Sequence, residues 1–136
     1  MKATHCTAHL RSISDTIDIV GGKWKLLILS LLASESPMRF SEIERALDRI
    51  TPRMLSKELK ELEQNELVER RVYPTMPVSV DYRLTAYGGS LGTVMTALSE
   101  WGKTHRKRIM HPTITTPLTS ETALPQTILK EQKCVL

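Results

Sequence analysis

The stretch TPRMLSKELKELEQNELVERRVYPTMPVSVDYRLT, residues 51–85, decides the fold of this chain. Thr51 followed by Pro52 marks a helix start: the hydroxyl accepts from an orphan amide, and proline sits where its missing N–H costs nothing. The helix is expected to run to about Asn65. Leu55, Leu59 and Leu62 recur at spacings of four and three on one face, whereas Arg53, Ser56, Lys57 and Lys60 project from another. Beyond it the period changes from helical to alternating, with Val78, Val80, Tyr82 and Leu84 set against Ser79, Asp81, Arg83 and Thr85. Leu67 to Tyr73 is rich in strand formers but alternates less cleanly, because Arg70 falls in phase with Val68 and Val72. Pro74 and Pro77 bracket the connection, so the two runs close into an antiparallel hairpin with its tip at residues 74–78. A helix flanked by such a ribbon can lay a polar face in a DNA groove while the ribbon reaches alongside.

Outward from this stretch the pattern is helical. Ile13, Ile17 and Val20 repeat at helical spacing and meet Gly21-Gly22, a natural helix end. A second helix begins near Lys23, with Trp24, Leu27, Ile28, Leu31 and Leu32 as its apolar face, and Ser36-Pro37 stops it. Phe40, Ile43 and Leu47 form the stripe of a third, for which Ser41 and Glu44 have the spacing of a capping box. After the hairpin a long helix is expected, capped by Thr85, carrying Leu91, Val94, Met95, Leu98 and Trp101, and ending in His105, Arg106, Lys107 and Arg108. The fold class is therefore mostly α with a small antiparallel β wing: a winged helix-turn-helix embedded between extra helices. Residues 1–110 make the domain, and residues 111–136 a threonine- and proline-rich tail that cannot build a second core.

At 136 residues the chain is expected to be one domain. A net charge of +4 suits a nucleic-acid binder without singling one out. No apolar run approaches the ~20 residues that cross a bilayer. The N-terminus lacks a basic start followed by an apolar stretch and a small-residue cleavage site, so a cytoplasmic protein with no membrane partner is expected. Cys6 and Cys134, near opposite ends, are not a disulfide framework. The chain shows no paired carboxylates, glycine-rich phosphate loop or nucleophile with an ordered base, so neither catalysis nor a cofactor is expected.

Several segments together resemble one family. Gly22-Lys23-Trp24, Met38-Arg39-Phe40-Ser41-Glu42-Ile43, Ile50-Thr51-Pro52-Arg53-Met54-Leu55 and Leu59-Lys60-Glu61-Leu62-Glu63 are similar to the HxlR-type family of bacterial and archaeal transcriptional regulators, relatives of the MarR type. The match continues through Val68-Glu69-Arg70, Tyr73-Pro74, Pro77, Val80-Asp81-Tyr82 and Leu84-Thr85 to Trp101. The resemblance implies a homodimer in which the first and last helices of each subunit pack together and two wings flank two recognition helices. It also implies sensing of oxidants or electrophiles through a cysteine near the N-terminus, where Cys6 stands. One departure is a wing tip left uncharged by Val78 and Ser79; another is the length of the tail.

On this reading the DNA-binding residues are Arg39, Ser41, Thr51, Arg53, Ser56, Lys57, Lys60, Arg71 and Arg83, with an inverted-repeat duplex as partner. Arginine pairs bidentately with guanine, while lysine and serine favour phosphates. The alternative for Lys57 and Lys60 is pairing with Glu61 and Glu63 on a solvated face. Arg71 and Arg83 are preferred over Arg70 on the wing, and Arg106 to Arg108 are expected to complement a helix dipole. Ile13, Ile17, Leu91, Met95, Leu98 and Trp101 are the expected dimer interface, and Gly88, Gly89 and Gly92 offer close approach between two long helices. Cys6, with His5, His9 and Lys2 nearby, is the candidate redox site; the alternative is an inert cysteine. Cys6 and His9, with only His105 and His111 scattered elsewhere, fall short of a metal site. A protein-interaction module of the same fold, without DNA binding, is the competing functional reading.

Overall fold

The computed structural model describes residues 7–111. Cys6 and Cys134, and the tail beyond His111, lie outside them. In chain order the elements are α1 (Thr7–Val20), α2 (Lys25–Ser34), β1 (Met38–Arg39), α3 (Phe40–Ala46), α4 (Pro52–Gln64), β2 (Val68–Tyr73), β3 (Ser79–Leu84), α5 (Ala86–Gly89) and α6 (Gly92–Met110). They form a mostly helical winged helix-turn-helix with one three-stranded antiparallel sheet in the order β1-β3-β2. No helix among the described residues is long and apolar enough to cross a membrane.

The core is a single cluster. Ile28, Leu29 and Leu32 of α2, Ile43 of α3, and Leu55, Leu59 and Leu62 of α4 are buried in it with Leu67, Val68 and Tyr82. The leucine stripe of α4 therefore faces inward as its spacing requires. In α2 the buried set differs from the expected face: Leu29 is fully covered and Leu27 is exposed. The reason is that α2 is apolar almost all round, so its sequence does not select one face and its neighbours do.

The ends of α4 are well defined. The Thr51 hydroxyl accepts from the Met54 amide at 3.2 Å. At the other end the Leu67 amide donates to the Leu62 carbonyl at 3.0 Å and the Glu66 amide to the Glu63 carbonyl at 3.0 Å. This is the paired closure of a Schellman motif, with Leu62 and Leu67 both buried. It places Glu66 at φ +60°, a conformation that glycine adopts freely and glutamate does not.

Three expectations are corrected. The capping box at Ser41 and Glu44 does not form; the start of α3 lies earlier, because Arg39 is held in β1 opposite Asp81. There the Arg39 amide donates to Glu42 Oε2 at 2.7 Å. Strand β1 itself was not expected: Met38 and Arg39 pair with Tyr82 and Asp81, making β3 the central strand. Two residues are too few to show a period. Finally, the long helix after the wing is split into α5 and α6. Thr85 does cap α5, accepting from the Gly88 amide at 2.9 Å while its own hydroxyl donates to the Glu66 carbonyl at 2.6 Å. Gly88 is buried against the Leu67 carbonyl, where a Cβ would collide. It packs on the root of its own wing, whereas Gly89 and Gly92 have open space beside them.

Replacing Glu66 with glycine relieves the left-handed backbone and is expected to stabilise the domain by about 0.5–1 kcal/mol, after the greater unfolded-state entropy of glycine is set against the gain. A rise in the urea midpoint at unchanged slope is the corresponding measurement.

Candidate nucleic-acid interface

The face of α4 opposite its leucines carries Arg53, Ser56, Lys57 and Lys60, all exposed, with Thr51 at its start. None of Arg53, Lys57 and Lys60 makes an ion pair among the described residues, so the pairing expected as the alternative for the two lysines is not formed. Glu61 turns instead toward α2. There Lys25 Nζ lies 2.8 Å from Glu58 Oε2 and 2.7 Å from Glu61 Oε2. Lys25 and Glu58 are the buried charged residues of the described chain. Sequence reasoning missed both, because an ion pair across 33 positions leaves no local period.

Desolvation pulls the Lys25 pKa down, but hydrogen bonds and charge from Glu58 and Glu61 outweigh it and leave the ammonium above its ordinary 10.5. The hydrogen bond from Lys25, with its charge, holds Glu61 below the ordinary 4.5. Lys25 and Glu61 thus stay ionised throughout the neutral range.

Arg39 and Ser41 stand beside the wing tip. A surface groove of about 540 Å³ is bounded by Arg39, Phe40 and Ser41 on one side and by residues 75–80 on the other. The tip is uncharged: Met76 is fully exposed and Val78 largely so. The Thr75 hydroxyl donates to the Pro77 carbonyl at 2.8 Å and braces it.

On the wing, register sorts the charges. Glu69 lies opposite Arg83, Arg71 opposite Asp81 and Tyr73 opposite Ser79, so these side chains share one face. Val68, Arg70 and Val72 share the other with Leu84, Tyr82 and Val80. Arg71 Nε is 3.2 Å from Glu69 Oε1, and this hydrogen bond raises the arginine pKa further above its ordinary value. Arg83 Nη2 donates to Tyr73 Oη at 3.2 Å, and its Nε faces Asp81 Oδ1 at 3.7 Å. Both preferred wing arginines therefore have carboxylates beside them, whereas exposed Arg70 has no ion pair among the described residues.

The expected dimer residues divide into two groups. Ile13 and Ile17 of α1 and Leu98 and Trp101 of α6 are exposed, Trp101 by 69%, its ring stacked on His105 at 5.0 Å. Leu91 and Met95 pack against the chain's own core, with the Ser30 hydroxyl 3.2 Å from Met95 Sδ.

The model of the HxlR-like helix-turn-helix family matches residues 19–110. The chain belongs to that family. It is 46% identical over 87 residues to an HTH-type transcriptional regulator of Halalkalibacterium halodurans, covering 64% of this chain and 77% of that protein. Among solved structures, the redox regulator HypR in its reduced form is similar at 35% identity and a TM-score of 0.68, covering 73% of this chain and 97% of HypR. The reduced transcriptional regulator YodB of Bacillus subtilis is similar at 40% identity and a TM-score of 0.60, covering 66% of this chain and 87% of YodB. This chain is accordingly a transcriptional regulator with a DNA-binding helix-turn-helix.

The sign of the titrations sets the acid limb of stability. Glu61, depressed in the folded state, contributes stability above its unfolded pKa that is lost as pH falls through the folded value. Lys25, raised, contributes stability below its ordinary 10.5 that is lost as pH rises through the higher folded value. Denaturant melts of Lys25→Met against the parent are expected to show a shallower loss of stability below pH 4.5, the ordinary glutamate value.

Proposed function

We propose that this regulator is a homodimer binding an inverted-repeat operator, with α4 of each subunit in successive major grooves about 34 Å apart. The observation that carries the reading is the cationic edge of α4, whose Arg53, Lys57 and Lys60 have no intramolecular partner among the described residues. Arg53 reads bases; Ser56, Lys57 and Lys60 hold phosphates, with Thr51 at the helix entry. Arg39 and Ser41 contact the backbone beside the wing. Arg71 and Arg83 lend the wing a weaker field, each offset by a neighbouring carboxylate. The site works within the cytoplasm and without catalysis or cofactor.

Dimerisation is supported by α6, a helix of 19 residues with none buried in the single chain. Ile13, Ile17 and Leu98 line an apolar groove of about 480 Å³ between α1 and α6, with Trp101 exposed beyond it. Uncovered apolar surface of this extent supports an interface there. Leu91 and Met95 support this layer from beneath.

Footprinting on the region upstream of its own gene, followed by mobility shifts on the protected fragment, tests the assignment. Two chains per inverted repeat are expected. Arg53→Ala is expected to cost about 1–3 kcal/mol and relax sequence preference, and Lys57→Ala to lower the salt slope by about one. Unchanged affinity and slope in both variants would defeat the reading.

Cys6 is the residue before Thr7 in sequence, the first residue of α1, one of the two helices proposed to pair the subunits. Oxidation or alkylation of that thiolate is proposed to shift one DNA-binding head relative to the other and release the operator. The redox regulators HypR and YodB among the structural neighbours support this. Diamide or a quinone is expected to abolish the shift for the parent and leave Cys6→Ser bound; a Cys6→Ser protein that still responds rules the mechanism out.

A further inference from the structure

We infer that Lys25 is a positioning residue for DNA reading: its ammonium, clamped between Glu58 and Glu61, sets the rotation and axial position of α4 against α2. The inference rests on the assignment of α4 as the reading helix.

The contacts holding α4 to the core are apolar. Leu55, Leu59 and Leu62 decide which face of α4 turns inward, but hydrophobic attraction is non-directional and sets the fine rotation and axial position of the helix less sharply than a polar contact does. The two charge-assisted contacts of Lys25, at 2.8 and 2.7 Å, are short and directional. They grip α4 at two points one turn apart, in an environment that leaves the Lys25 side chain 11% exposed and that of Glu58 12%. Lys25 is the first residue of α2, so the clamp joins the start of one helix to the middle of the other. Lys57 and Lys60 bracket Glu58 on the exposed side, and any turn of the helix moves them and Arg53 together.

Base reading requires side chains held within about 0.5 Å of the productive geometry. Phosphate attraction tolerates looser placement and supplies most non-specific affinity. Loss of the clamp is therefore expected to lower binding to the correct sequence while sparing binding to any duplex.

The test measures affinity for the footprinted promoter duplex and for a shuffled duplex of equal length. Lys25→Met is expected to reduce the ratio of the two about tenfold, with little change on the shuffled DNA. Lys25→Arg is expected to keep most of the ratio. The triple variant K25M/E58Q/E61Q leaves no unpaired charge buried, so it stays folded, and its ratio is expected to remain low. An unchanged ratio in Lys25→Met, or full recovery in the triple variant, overturns the inference. So does a parallel fall on both duplexes with a lower melting temperature, which marks a purely structural role. A parent protein that binds neither duplex refutes the assignment of α4, and the inference falls with it.

Discussion

The burial of Leu55, Leu59 and Leu62 is the constraint from which the rest of the domain follows. Fully covering side chains of this size is worth ~1.5–3 kcal/mol each, more than any surface ion pair in the molecule supplies. With those three leucines inside, helical geometry leaves Arg53, Ser56, Lys57 and Lys60 no place except the outer edge. The same burial brings the end of α4 to Leu67 and Val68, and hence decides where the wing begins. The closure at Leu62 and Leu67, the Thr85 hydroxyl on the Glu66 carbonyl, and Gly88 against Leu67 all converge on this junction. Helix α4 and the wing are thus one mechanical unit.

The wing shows how strand register divides like charges into unlike roles. Arg71 and Arg83 share a face with Glu69 and Asp81, so their field is partly cancelled at source. Arg70 lies on the other face, opposite Tyr82. Its exposed guanidinium lacks that compensation. Together with an apolar tip at Met76 and Val78, this makes a wing whose charge sits at its middle and not at its end.

The outer helices answer a different demand. α2 buries Ile28, Leu29 and Leu32 in the core, whereas α6 buries no residue and keeps Leu98 and Trp101 outside. Among the described residues its packing on the core runs through Leu91, at its start, and Met95, which leaves a long apolar flank uncovered and is the physical basis for the proposal that α1 and α6 form a subunit contact.

Local periodicity determined, by itself, the helix from Pro52 to about Asn65 with its Thr51 cap, the hairpin, and the separation of leucine and cationic faces. Each depends on residues within one or two turns of each other, and their spacing records which side is wet. Only the tertiary structure decided the rest. Met38 and Arg39 become a strand because β3 offers an open edge; the last helix breaks because Gly88 is drawn against Leu67; and Leu29 displaces Leu27 as a core residue because its neighbours choose the face. Lys25 meets Glu58 and Glu61 in the same way. Pairings between distant positions have no period to announce them, since they are selected by which surfaces meet once the chain has packed.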